Sequence, residues 1–304
     1  MSKIDKLLKS LNSFIKEAEE DNDEKLTNLV PDFPGLDQVP QLVEDYEKKV
    51  AKLLRNQRKH FVSGVKSFVS KDITLAALLI FLTGDLFAED EFEEEMEGIT
   101  VEFLSLTIVA LASEMMEAID KDVAFDTLSG RTTKWIEDWS KDLAKLMKLH
   151  THEALEEELK ASIENGESIQ QAELRLKDLP QFDRKRARTT AITEILTASS
   201  RSQWEAYNQS PAVTKKRWRH SGSKKNNPRK NHQDMDGVEV GVDEEFVISG
   251  SSETCQYPRD PSLSGKERIH CHCVMSPVVD SDILGLSKEE KEQLRQEALE
   301  EMDS

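Results

Sequence analysis

The stretch Gln41 to Phe68, QLVEDYEKKVAKLLRNQRKHFVSGVKSF, indicates how most of the chain folds. Its apolar side chains recur every three or four residues, which is the period of an amphipathic helix. The apolar positions are Val43, Tyr46, Val50, Leu53, Leu54, Phe61, Val65 and Phe68. The same helical period continues to about Lys177, and no long segment alternates with period two. The sequence therefore predicts an all-α body.

Three further helices are predicted within this body. Asp72 is placed to cap a buried helix from Ile73 to about Phe87. Gly98 is expected to open an apolar helix that runs from Ile99 to Ile119, and another helix follows the turn at Ser129-Gly130.

The first forty residues predict a helix and a connecting segment. Residues 1–20 carry one apolar stripe, which is typical of an amphipathic helix. Residues 21–40 are polar and are interrupted by Pro31, Pro34-Gly35 and Pro40, which indicates a linker. The pattern fits either a tethered helix or one that folds back on the body.

The last third of the chain has a different composition. A basic helix is predicted from Arg184 to about Tyr207, and Ser287 with Glu290 forms a capping box that starts a last helix, to about Met302. The predicted short strands between them are Val238–Val240, Phe246–Ile248 and Cys271–Met275. The fold class is thus mainly α: a helical N-terminal body followed by a small α+β module and a C-terminal helix. The predicted segments are 1–20, 21–40, 41–180, 181–280 and 281–304.

Composition limits the compartment and the class of protein. The chain has 304 residues, a net charge of -18 and only three cysteines, which are too few for a disulfide framework in a chain of this size. A reducing compartment is expected. The start of the chain lacks the apolar stretch of a signal peptide, and the longest apolar run, Ile73 to Leu82, is short of the ~20 residues of a membrane span. We expect no membrane anchor.

The positive charge is concentrated in one segment. Between Gln181 and His232, 13 Lys and Arg face three acidic residues, a net charge of +10, which leaves -28 for the remainder. Such an asymmetry indicates a site for a polyanion on an otherwise acidic molecule.

The basic side chains of this segment are the predicted contacts to DNA phosphates. They are Arg184, Arg186, Lys215, Lys216, Arg217, Arg219, Lys224, Lys225, Arg229 and Lys230. Such contacts release condensed counterions and need no base readout, so the predicted binding is non-specific. Trp218 fits either stacking on a base or, as we favour, anchoring its strand to the core. An acidic protein partner, including a second copy, fits the same basic run.

The segment His270-Cys271-His272-Cys273 is the most specific local signal for a metal. In a strand, both thiols project from one face, and two thiolates can bind one ion. Tetrahedral zinc needs two further ligands, and Cys255 and His232 lie in the same module, with His220 as another option. The alternative is three reduced cysteines that pack a small core.

Two other groups of polar residues have alternative interpretations. His232, Asp234 and Glu194 fit an acid/base set, although a structural role for His232 is favoured, because no established metal-hydrolase motif accompanies them. The acidic run Asp90 to Glu95 fits a divalent-cation site, but it lacks the spacing of a calcium loop, and a solvated face is favoured.

The order of motifs resembles the phage Mu protein F-like module of phage minor head proteins. The residues that carry the resemblance are Arg188, Thr193-Glu194, Trp218, Arg229, His232, Met235-Asp236-Gly237, Phe246, Pro258, Asp260-Pro261 and His270-Cys271-His272-Cys273. The similar region covers roughly 165–277, about a third of the chain. It departs at Ile192, where that family more often has Arg before Thr-Glu, and at His272, which replaces an Arg between the cysteines.

The resemblance implies a head morphogenesis protein of a tailed siphophage with a Gram-positive host. It implies a virion component in the head interior at the portal vertex, made in the host cytoplasm, whose partners are the portal protein, double-stranded DNA and scaffold or capsid protein. We expect it to assist head assembly and DNA packaging or ejection without being an enzyme. The alternatives are a zinc-dependent nuclease or phosphoesterase that uses His232, Cys255, Cys271 and Cys273, and an assembly factor that never touches DNA.

Overall fold

The computed structural model describes residues 26–69, 74–222 and 228–303. Before the first strand, its α-helices are α1 (Val39–Val69), α2 (Leu75–Phe81), α3 (Phe92–Ile119), α4 (Gly130–Glu164), α5 (Ile169–Lys177) and α6 (Arg184–Gln209). After α6 follow β1 (Val213–Arg219), α7 (Lys230–Asp234), β2 (Glu239–Gly241), β3 (Phe246–Val247), β4 (Thr254–Cys255), α8 (Gly265–Arg268), β5 (Val274–Val279), α9 (Ser281–Leu284) and α10 (Lys288–Asp303). The order confirms a mainly α chain with a small antiparallel sheet and a C-terminal helix.

The chain forms two compact units, and each is assembled from non-contiguous segments. The described residues of unit 1 are Glu44–Thr100 and Ser140–Ala191. Those of unit 2 lie in Val101–Trp139, in Ile192–Ser304 and in the described part of Glu20–Val43. The segments predicted from the sequence were contiguous, because composition follows chain order whereas packing does not.

Unit 1 is held together by the apolar faces that its helices present to one another. Phe61 and Val65 of α1 lie in one core cluster with Leu155 and Leu159 of α4 and with Leu176 of α5. All of these side chains are buried, and burying one such apolar side chain stabilises the fold by about 1.5–3 kcal/mol. The apolar side chains that recur with the helical period in the sequence therefore form the core of this unit.

Two helix starts differ from the prediction. Helix α2 begins at Leu75, and its N-cap is Thr74, whose side chain accepts a hydrogen bond from Ala77 N at 3.2 Å. Asp72 lies outside the described residues. Helix α3 begins at Phe92 and continues through Gly98, so this glycine does not open the helix as predicted.

By length and composition alone, α3 could span a membrane. Half of its most apolar window is buried inside the protein. The core helix of a soluble protein passes the same test.

The acidic run Asp90 to Glu95 lies at the start of α3, within unit 1. Asp90 is buried, and its Oδ2 lies 2.8 Å from Gln57 Nε2 and 2.8 Å from His152 Nε2. Its Oδ1 accepts a hydrogen bond from Phe92 N at 3.2 Å, which caps the helix. Glu93 and Glu94 fall in the first turn of α3, where the helix dipole favours negative charge.

Unit 2 contains a three-stranded antiparallel sheet of order β2–β1–β5 and a separate hairpin of β3 and β4. In the central strand, Arg217 pairs with Glu239 of β2 and with Ser276 of β5. The observed strands β2 and β3 overlap their predicted ranges. The third begins at Val274 instead of Cys271, so the two cysteines lie before the strand.

The helices that precede and follow this sheet in the chain match the sequence closely. Helix α6 buries the predicted face of small residues, including Ala187, Ala191 and Ala198. Ser287 and Glu290 form the predicted capping box at the start of α10, with Glu290 N bonded to Ser287 Oγ at 3.3 Å. The predicted helix over residues 1–20 lies outside the described residues.

Candidate functional site

Three buried side chains of unit 2 converge on one point. His232 comes from α7, while Cys271 and Cys273 come from the segment between α8 and β5. His232 Nδ1 lies 3.5 Å from Cys271 Sγ and 3.7 Å from Cys273 Sγ, and the three donor atoms lie within 4.8 Å of one another. We call this group the thiol–imidazole cluster.

The chain that carries the two cysteines is shaped by an unusual backbone and a buried arginine. His270, just before Cys271, has a φ of 51°, in the left-handed region that non-glycine residues seldom adopt. Arg259 is buried, and its Nη1 donates to the carbonyl oxygens of Cys271 and Cys273 at 2.8 and 2.6 Å. Its Nη2 donates to Ser200 Oγ at 2.6 Å, which ties the segment to α6.

The imidazole of His232 is oriented by a buried carboxylate. His232 Nε2 lies 2.9 Å from Oε2 of Glu267 in α8, and Asn231 Nδ2 donates to the same oxygen at 3.0 Å. The ring of Trp218 packs edge-on against the imidazole at 5.7 Å between centroids. This arrangement directs Nδ1 toward the two thiols.

The cluster concentrates charge in a buried place. The hydrogen bond from Cys273 and that from His232 hold the pKa of the Cys271 thiol well below its usual range in spite of burial. The bond to Cys271, followed by burial, raises the pKa of Cys273. Burial lowers the pKa of His232, but its contacts with Cys271 outweigh this and raise it overall. A thiolate beside an imidazole is suited to binding a soft metal or to nucleophilic chemistry.

Cys255 is not part of this cluster. It is buried in β4, opposite Phe246 of β3, and its sulfur is outside the group of converging donor atoms. Burial raises the pKa of its thiol. The structure therefore brings together three of the four residues predicted as zinc ligands. His220, the further option, lines the same small cleft as the cluster.

The structure does not bring together the acid/base set predicted from the sequence. Glu194 is buried, and its Oε2 accepts a hydrogen bond from Trp139 Nε1 at 2.6 Å. Asp234 forms an ion pair with Lys230 on the surface. The carboxylate that contacts His232 is Glu267, which the sequence reasoning missed. The available signal was its place four residues before Cys271, on a short helix.

The basic residues of β1 alternate between the two faces of the sheet. Lys215 and Arg219 are exposed, and Arg217 is half-buried and pairs with Glu239 at 2.6 Å. We call Lys215, Arg217 and Arg219 the basic row. Lys216 and Trp218 point inward and are fully buried, so Lys216 is not available to a phosphate.

The other predicted phosphate contacts are dispersed. Arg186 is buried and donates to Thr151 Oγ1 and to the carbonyl oxygen of Met147, each at 2.9 Å, so it is not available either. Arg184, like Arg186, lies in unit 1, and its exposed side chain pairs with Glu47 at 2.7 Å. Lys224 and Lys225 lie outside the described residues.

Two more predicted contacts lie near the thiol–imidazole cluster in the chain. Arg229 is half-buried and donates to the carbonyl oxygen of Ile269. Lys230 is exposed but pairs with Asp234. Among the predicted phosphate contacts that the structure describes, only Lys215 and Arg219 are exposed and form no ion pair.

Part of the chain matches a known protein family. A family model described as phage Mu protein F like protein matches residues 153–276, which include the whole basic row and the thiol–imidazole cluster. The chain is 61% identical over 305 residues to "Uncharacterized protein YqbB" of Bacillus subtilis (strain 168), and the match covers the full length of both chains. No solved structure matches the chain.

A second relative shares only part of its length. The chain is 34% identical over 101 residues to "NAD(+)--arginine ADP-ribosyltransferase EFV" of Enterococcus faecalis (strain ATCC 700802 / V583), which is 32% of this chain and 19% of that protein. The full-length Bacillus relative fits a phage of a Gram-positive host. Together with the matched region, it shows that this chain belongs to the phage Mu protein F like family of phage head morphogenesis proteins.

Proposed function

We propose that the protein is a minor head protein that sits at the portal vertex and contacts the packaged DNA through the basic row. The portal, with scaffold or capsid protein as a further partner, is inferred from the family, whose members serve head morphogenesis. The contact with DNA is inferred from this chain's own surface. The observation that carries it is the exposure of Lys215 and Arg219 on one face of the sheet.

The basic row favours contact with phosphates over reading of bases. Its residues alternate along a strand, so their side chains share one face and follow a line. Lys and Arg on such a line bind a phosphate backbone by releasing its counterions. Arg217 is already paired with Glu239, which reduces the net charge of the row and fits weak, sequence-independent binding.

We assign no catalytic role to the thiol–imidazole cluster. His232, Cys271 and Cys273 are each at most 3% exposed. The cleft beside them has a volume of about 20 Å³, which is room for one water-sized group and far too little for a phosphodiester. A nuclease or phosphoesterase needs its substrate phosphate next to the metal-bound nucleophile.

The DNA contact is tested by neutralising the two unpaired members of the row. We expect Lys215→Gln with Arg219→Gln to weaken binding of duplex DNA and to reduce the slope of log K against log salt by about 2, since each phosphate contact contributes about 0.9. The matched control is Lys141→Gln with Lys145→Gln, two exposed lysines of α4 in unit 1. A wild-type protein whose DNA binding is absent or insensitive to salt would remove this part of the proposal.

The portal contact is tested separately. A tagged copy of the protein, captured from a nuclease-treated lysate of infected cells, is expected to bring the portal protein with it, and purified heads are expected to contain the protein. Capture of the portal without any binding of duplex DNA by the purified protein would favour a pure assembly factor. Heads that lack the protein would contradict the assignment as a virion component.

A further inference from the structure

We propose that His232, Cys271 and Cys273 bind one zinc ion, which joins α7 to the segment that leads into β5. The three donor atoms come from two stretches of chain and meet in the interior of unit 2. The fourth coordination position of the ion faces the small cleft that the three ligands line.

The spacing of the donor atoms matches a tetrahedral zinc site. Zinc binds sulfur at about 2.3 Å and imidazole nitrogen at about 2.0–2.1 Å, so the edge between an N and an S ligand of a tetrahedron is about 3.6 Å. The two observed distances from His232 Nδ1 to the sulfurs are 3.5 and 3.7 Å. These two distances therefore match the N–S edges of a zinc tetrahedron, and all three donor atoms lie within 4.8 Å of one another.

The surroundings of the cluster orient its donor atoms as a metal site requires. A histidine that ligates zinc usually donates its other N–H to a carboxylate, which fixes the tautomer. Glu267 Oε2 lies 2.9 Å from His232 Nε2, so Nδ1, the ring nitrogen that faces the thiols, is the one placed to ligate the ion. The two cysteine carbonyls are held by Arg259, which fixes the backbone that carries the sulfurs.

Other uses of the two thiols fit the structure less well. Cys271 and Cys273 are two positions apart, and the short chain between them makes an unstrained disulfide difficult. A nucleophilic thiol must meet its substrate, whereas both sulfurs are buried. Two thiolates and an imidazole are donors that zinc accepts readily, and its charge compensates theirs in the interior.

The fourth position has room for one small ligand. The cleft next to the cluster is lined by His220, Arg229 and His272, among others, and its volume of about 20 Å³ holds about one water molecule. The proposal therefore assigns three protein ligands and one water-sized ligand to the ion.

The test is the zinc content of the protein purified without chelator. We expect about one zinc per chain in the wild type, and loss of at least nine-tenths of it in Cys271→Ala with Cys273→Ala. The matched control is Cys255→Ala, which removes the third buried thiol from a place outside the cluster and is expected to retain its zinc. A metal-free, folded wild type that takes up no added zinc would overturn the site.

A second measurement covers the case in which the double variant does not fold. Wild-type protein stripped with a chelator is titrated with Co²⁺, which reports thiolate ligands by a charge-transfer absorption in the near ultraviolet. We expect this absorption at one Co²⁺ per chain, its displacement by Zn²⁺, and an unchanged signal in Cys255→Ala. Co²⁺ bound without the thiolate absorption would contradict ligation by the two cysteines.

Discussion

Lys216 shows how far the surroundings of a single residue can depart from what its sequence neighbours suggest. It lies between Lys215 and Arg217 in the most basic run of the chain, yet its side chain is fully buried and its Nζ donates to Gln256 Oε1 at 2.6 Å. Burial lowers its pKa to about 8. The alternation of the strand explains the difference, since every second residue from Lys215 to Arg219 points inward.

A pH dependence follows from this buried lysine. Between the folded pKa of about 8 and the usual value of 10.5, the unfolded chain holds the proton more strongly, so stability must rise as pH rises through this window. Relative to Lys216→Met, we expect the free energy of unfolding of the wild type to increase by about 2 kcal/mol from pH ~8 to pH ~10. Urea denaturation at the two pH values measures this difference. Parallel pH curves for the two proteins would contradict it.

The thiol–imidazole cluster could be predicted from the sequence only in part. The spacing of Cys271 and Cys273 and the presence of His232 in the same module were visible, and these three residues do converge. Cys255 was included because it is a cysteine of that module, but β-pairing places it elsewhere. Glu267 was missed: its place four residues before Cys271 was the available signal, but its contact with His232 joins two short helices whose packing no local pattern encodes.

At the scale of secondary-structure elements, the hydrophobic period predicted the presence of the long helices more accurately than the residues at which elements begin. The long helices and the capping box at Ser287 follow from local patterns, and the structure has them. The start of α3 was misplaced because a glycine was taken as a helix break, whereas Gly98 lies inside a helix that begins six residues earlier, at Phe92. The start of β5 was misplaced because Cys271 to Cys273 is apolar enough for a strand but does not pair as one.

The N-terminus of α4 is capped by a carboxylate from another helix, α6. Glu205 of α6 is fully buried and accepts hydrogen bonds from Ser129 N at 2.7 Å, from Ser129 Oγ at 2.9 Å and from Thr132 Oγ1. Gln209 Nε2 donates to it at 2.8 Å. The carboxylate thus satisfies several donors that have no access to water.

Removing this carboxylate should strongly destabilise the protein. We expect Glu205→Ala to reduce the free energy of unfolding by about 3 kcal/mol or more, because each stranded buried donor costs about 1–3 kcal/mol. Glu205→Gln keeps one acceptor oxygen, so its loss should be smaller. The matched control is Glu137→Ala on the exposed side of α4, which should change stability by less than about 0.5 kcal/mol. Chemical denaturation of the three variants provides the comparison; equal effects of Glu205→Ala and Glu137→Ala would contradict the role of the buried carboxylate.

At the scale of the whole molecule, the distribution of charge has two opposite consequences. The chain carries a net charge of -18, and the surplus of acidic residues repels itself in the compact state. The basic row is proposed to attract a polyanion. Salt screens both interactions, and the Debye length falls from about 30 Å at 0.01 M to about 8 Å at 0.15 M.

We therefore expect salt to act in opposite directions on the folding and on the DNA binding of the same protein. Between about 0.01 and about 0.15 M NaCl, the melting temperature should rise by a few degrees while the affinity for duplex DNA falls. Thermal unfolding and DNA titration in the same buffers measure the two trends. A melting temperature that falls with salt would show that attractive ion pairs outweigh the repulsion among the acidic residues.

The convergence of His232 with Cys271 and Cys273 joins positions that are 39 and 41 residues apart in the chain. A bond that closes a loop of this length in the unfolded chain reduces its conformational entropy by an amount equivalent to about 4 kcal/mol, on the same reasoning that applies to a disulfide. A disulfide is easily lost in the reducing interior of a cell. A zinc cross-link at this point uses reduced thiols and a metal that has no redox chemistry, so it would persist in the reducing interior of the host, where a disulfide is lost.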